Sequence, residues 1–133
     1  MTAVTVIRTV AESDDDVYVL GLRAGDDPWS LLLMEADPDG DPDALHSDDE
    51  FDSYCLVVDP GQMTVYGGVV EAELMGDFLR LTLTQVAAET LEMREEELLQ
   101  LSIPESQREV LGRGLTRVLT SGALAFRPAL LRV

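Results

Sequence analysis

The chain has 133 residues, 46% of them hydrophobic, and a formal net charge of −17. That is the length of one domain, with enough apolar side chain for a single core, and it excludes a disordered acidic tail. So acidic a surface repels nucleic-acid phosphates and anionic lipid, so neither nucleic acid nor membrane is expected as a partner, whereas a basic protein is.

Residues 3–11 are rich in β-branched side chains and predict a strand. Glu12-Ser13-Asp14-Asp15-Asp16 is a charged turn, and residues 17–24 predict a second strand that forms a hairpin with the first. Gly25-Asp26-Asp27-Pro28 is another turn. Trp29–Ala36 contains an unbroken run of Leu31, Leu32, Leu33 and Met34, which fits a buried strand. The next residues, to Asp52, form a long acidic loop, because Pro38, Gly40 and Pro42 exclude a helix and a central strand.

Residues 54–58 predict a strand, Asp59-Pro60-Gly61-Gln62 a tight turn, and residues 63–74 a returning strand interrupted by Gly67-Gly68. After a turn at Met75-Gly76-Asp77, residues 78–84 alternate as a strand. One or two helical turns follow over 85–91, capped by Thr84, then a strand over 95–103 with Leu99, Leu101 and Ile103 on one face. The long helix is 104–120: Val110, Leu111, Leu115, Val118 and Leu119 share a stripe, and Gly122 lies just past the end. The tail 123–133 reads as a weak last strand, since Pro128 interrupts it.

The expected fold is α+β, one domain over 1–133. It is a mainly antiparallel sheet of six or seven strands, with the C-terminal helix packed on one face. Leu31, Leu33, Leu56, Val58, Val65, Leu81, Leu83, Leu111, Leu115 and Val118 are expected in its core. No secretory leader and no apolar run long enough to span a membrane are visible, so a reduced, cytoplasmic protein is expected.

Charge is unevenly spread. The first 100 residues hold 24 acids against four arginines, while the last 33 hold two acids and five arginines. A salt-adapted surface carries acids everywhere, so this concentration argues for a specific patch. It is densest over Glu35–Asp52, with nine carboxylates and no arginine.

Catalysis finds little support. The one histidine, His46, lies in the acidic loop, where neighbouring carboxylates favour its charged form and spoil a general base. The one cysteine, Cys55, lies in an apolar run. One His and one Cys cannot furnish a zinc site, and with no lysine there is no phosphate-binding loop of the usual kind. Asp37-Pro38-Asp39-Gly40-Asp41-Pro42-Asp43 resembles half a calcium loop. Placing Gly40 sixth, however, puts His46 twelfth, where a bidentate Glu is required. No enzyme, cofactor or metal is expected.

Several elements of the second half form a familiar series: Tyr54-Cys55 in a strand, the Gly61 turn, and Thr64-Val65-Tyr66-Gly67-Gly68-Val69. Leu79-Arg80-Leu81-Thr82-Leu83 follows, then a short helix over 87–91, a strand, and the helix with Leu111, Gly114 and Leu115. From Tyr54 onward the chain resembles immunity protein 10, a family of bacterial polymorphic toxin systems. The resemblance covers about half of the chain, and the acidic loop has no counterpart in it. It implies a mostly β protein that binds and neutralises a cognate toxin.

Many such toxins are nucleases with cationic active sites, which an acidic inhibitor meets quickly through electrostatic steering. The expected partner-binding residues are Asp37, Asp39, Asp41, Asp43, Asp48, Asp49 and Glu50, with Phe51 and Tyr54 as anchors. Asp14, Asp15 and Asp16 extend the patch if the first hairpin folds alongside. A second reading stays open: a non-catalytic interaction or regulatory domain whose acidic face has nothing to do with toxins.

Overall fold

The computed structural model describes residues 4–25, 28–36 and 52–133. They form ten strands: β1 (Thr5–Ile7), β2 (Thr9–Asp14), β3 (Tyr18–Arg23), β4 (Ser30–Met34), β5 (Cys55–Asp59), β6 (Met63–Tyr66), β7 (Val69–Met75), β8 (Phe78–Leu83), β9 (Glu96–Leu101) and β10 (Leu130–Arg132). Helix α1 (Gln85–Leu91) precedes β9, and helix α2 (Glu105–Leu119) follows it.

The fold is α+β, but the expected single sheet is two sheets of five. One is antiparallel throughout, in the order β2-β3-β4-β5-β6. The other, ordered β1-β9-β8-β7-β10, is mixed, because β1 runs parallel to β9 and β10 parallel to β7. Two expected strands divide to make this possible. Residues 3–11 break at Arg8, whose N–H donates to the Arg23 carbonyl at 2.8 Å, so that β1 joins one sheet and β2 the other. Residues 63–74 break at Gly67-Gly68, both with positive φ (70° and 96°), and β6 and β7 likewise part. The weak tail strand is β10, completing an edge.

Cross-strand rows explain the core. Leu20, Leu33 and Leu56 lie in register across the antiparallel sheet, as do Leu22, Leu31 and Val58. Leu99 and Leu79 face each other in the mixed sheet. Both rows and the α2 stripe of Leu111, Leu115, Val118 and Leu119 belong to one continuous buried cluster. Of the expected core residues all are buried except Val65, which packs against the cluster partly exposed. Helix α2 lies on the face carrying Tyr18 and Leu20: a Cβ on Gly114 would stand 2.6 Å from the Tyr18 hydroxyl and 2.8 Å from Leu20. Thr84 caps α1 as expected, its hydroxyl accepting from the Ala87 N–H at 3.2 Å.

Candidate functional site

The β2–β3 hairpin carries carboxylates toward α2. Glu12 and Asp14 share a strand face, and Arg113 and Arg117, four apart, share a helix face. The Arg113 guanidinium donates to Glu12 Oε1 at 2.8 Å. Arg117 donates to Asp14 Oδ2 at 3.0 Å and, through Nε, to Glu35 Oε2 at 3.1 Å. The Tyr18 hydroxyl donates to the other Glu12 oxygen at 2.5 Å. That bond is the main cause holding the Glu12 carboxyl below its ordinary range, aided by Arg113 against the opposing cost of desolvation. Burial, then the Glu12 bond, drives the Tyr18 hydroxyl far above its usual value, and the bonds to Glu35 and Asp14 raise Arg117.

Glu35 ends β4's exit from the sheet and is locked to the hairpin twice. Its N–H donates to the Tyr18 carbonyl at 3.1 Å, and its Oε1 accepts from the Tyr18 N–H at 3.1 Å. The Ala36 N–H then donates to Ser121 Oγ at 3.0 Å. Where the chain returns, the Ala123 N–H donates to the Asp52 carbonyl at 3.0 Å, and Ser53 bridges Gly122. Ala36 and Asp52, the described residues on either side of 37–51, therefore meet just past the end of α2, and Glu35 joins the first of them to the acidic hairpin.

Asp37, Asp39, Asp41, Asp43, Asp48, Asp49, Glu50 and Phe51 lie outside the described residues. Tyr54 does not supply an exposed anchor, because it is fully buried. It shares the inward alternation of Leu56 and Val58, a signal present in the sequence. Its hydroxyl accepts from the Val69 N–H at 3.0 Å and donates to the Phe126 carbonyl at 3.1 Å, while its carbonyl accepts from the Gly67 N–H at 2.8 Å. Tyr54 thus clamps the glycine crossover between the sheets, and burial pushes its hydroxyl up to about 12.

Gly68 is required for contact as well as conformation: a Cβ there would stand 2.6 Å from that of Ala87. The Tyr66-Gly67-Gly68-Val69 pattern is accounted for by this crossover. Sequence reasoning missed Tyr18, Glu12, Arg113 and Arg117 as a unit; the signal was the two same-face pairs of opposite charge. Among the described residues no group of three or more His, Cys, Asp and Glu side chains is placed to hold a metal ion. Nor, among them, is any helix long and apolar enough to cross a membrane.

A family model, immunity protein 10, matches residues 3–109. The chain belongs to the immunity protein 10 family. The match runs through the first half as well, which the resemblance from Tyr54 onward left out, and it ends inside α2. Family members are non-catalytic proteins that neutralise toxins, so this immunity protein binds rather than reacts. The chain is also similar to the glutamine-hydrolysing GMP synthases of Haemophilus influenzae strains PittEE, Rd and 86-028NP. It is 30% identical to each over 108 residues, which are 81% of this chain and 18% of the enzyme. It therefore spans under a fifth of their length. No solved structure matches.

Proposed function

We propose that this immunity protein neutralises a cationic toxin made by the same cell, a nuclease in the reading we favour, through an acidic surface. Membership of the family carries the toxin. The bonding of Glu35 to the hairpin at Tyr18, and the seating of Ala36 and Asp52 against Ser121 and Ala123 just past α2, support the surface. Carboxylates gathered there imitate a phosphate backbone and occupy a cationic groove. Asp37, Asp39, Asp41, Asp43, Asp48, Asp49 and Glu50 steer association, and Phe51 is the anchor that lengthens residence. The encounter takes place in the cytoplasm, where the toxin is made.

The test is to change those seven acids to Asn or Gln. Association with the toxin encoded beside the gene should slow about tenfold or more at low salt, with the melting temperature nearly unchanged. Wild-type association and undiminished protection of cells would leave the loop a solubilising surface only.

A glutamine-hydrolysing activity is not proposed. Burial pushes the Cys55 thiol up, away from the thiolate that a nucleophile needs.

A further inference from the structure

At one end of the two sheets their inward rows stop being apolar and open into a cleft. On β9 the row of Leu101 and Leu99 continues to Glu97, and on β1 the row of Ile7 continues to Thr5. Opposite, the row of Leu33 and Leu31 continues to Trp29, which packs partly buried against the core beside Met63 and Met93. Two adjoining cavities of about 300 and 390 Å³ fill this mouth, and Trp29 and Glu92 line both. A carboxylate at the end of an apolar row breaks the pattern that the rest of the strand obeys, and such breaks mark function.

The walls choose the occupant. Among the described residues, three carboxylates, Asp59, Glu92 and Glu97, line the mouth against one guanidinium, Arg94. The Arg94 backbone N–H donates to Glu97 Oε2 at 2.9 Å and fixes that carboxylate in place. Glu92 caps α1 with a left-handed backbone (φ 56°), a position that ordinarily favours glycine. An indole face attracts a cation, and thioether walls suit the methylene stem of a long basic side chain.

We infer that this cleft receives a lysine or arginine side chain of the bound toxin; the inference rests on the toxin-binding reading above. It adds a contact at the end of the antiparallel sheet opposite to Asp14 and Glu35. Trp29 is the chain's sole tryptophan, so a fluorotryptophan-labelled chain gives one fluorine resonance that reports on the cleft alone.

The experiment uses the full chain and the toxin encoded beside its gene, inactivated by substitution. The Trp29 resonance should move on complex formation. A Glu92→Gln/Glu97→Gln chain should bind about tenfold more weakly or worse, chiefly through faster dissociation. Glu92→Gly keeps the readout independent of folding: it suits the left-handed backbone, so it should raise the melting temperature while weakening binding. Binding by the double variant within about twofold of wild type, with an unmoved resonance, overturns the inference alone. Tighter binding by that variant means an acidic occupant and also overturns it. A wild-type chain that fails to bind overturns the toxin-binding reading, and this inference with it.

Discussion

The Arg117 guanidinium lies over the Tyr18 ring, 4.3 Å from its centroid, while its nitrogens hold Asp14 and Glu35. One cation on α2 thereby ties the acidic hairpin to Glu35, just past the end of β4. It also offsets part of the charge that the proposed toxin would meet. Arg117→Gln should therefore speed toxin association about twofold at low salt, and the gain should vanish at high salt. The group is exposed, so the melting temperature should fall only slightly. Stopped-flow association at two ionic strengths checks this; slower association would contradict a cationic toxin.

Leu115 is fully buried in the core cluster, on the helix that packs against the antiparallel sheet. Leu115→Ala should cost about 2–5 kcal/mol in urea unfolding. Its neighbour Gly114 tests the opposite error, because an added methyl would meet the Tyr18 hydroxyl and Leu20. Gly114→Ala should cost about 1–3 kcal/mol despite alanine's better helix propensity. A stabilised Gly114→Ala protein would mean that α2 is not seated on Tyr18.

Two glycines with positive φ separate strain from crowding. Gly68 (φ 96°) has the Ala87 methyl where its Cβ would go, whereas Gly76 (φ 57°) has open space. Gly68→Ala should destabilise by about 2–4 kcal/mol and Gly76→Ala by about 1 kcal/mol. Equal losses in thermal melts would remove the crowding argument at the crossover.

Tyr54→Phe strands the Val69 N–H and the Phe126 carbonyl, and should cost about 1–3 kcal/mol at neutral pH. The hydroxyl's value rises from 10.0 in the unfolded chain to about 12 in the fold. Between those values the fold keeps a proton that the unfolded chain has released. Stability is therefore fully present below the lower value and falls as pH rises through the window. Tyr18 shifts the same way, so Tyr54→Phe should reduce the alkaline loss without abolishing it. Urea midpoints at about pH 9 and about pH 11 measure the difference; identical losses in both proteins would place Tyr54 in water.

Local pattern carried much of this molecule. The alternation over 78–84, the apolar run of β4, the Asp59-Pro60-Gly61-Gln62 turn and the α2 stripe are all short-range signals, and each element formed where they put it. They are legible because strand and helix periodicity depends only on neighbours a few residues away. The family likeness was legible for the same reason, as an ordered series of such elements. So was the acidic concentration, since charge is a property of composition.

Sheet membership was decided only in three dimensions. Nothing local to residues 3–11 says that Ile7 and Val10 serve different sheets, or that β1 will lie parallel to β9, more than 90 residues away. Such pairings follow from where each strand can bury its apolar face, a choice made by the whole core. The same holds for Tyr54, taken as an anchor beside an acidic loop yet enclosed once β7 and Phe126 close over it. It holds too for Trp29 and Glu97, ordinary at their own positions. They come to share one cleft only because the ends of the two inward rows meet. Sequence fixes which faces are apolar; tertiary packing decides which of them meet, and what charge is left at their margin.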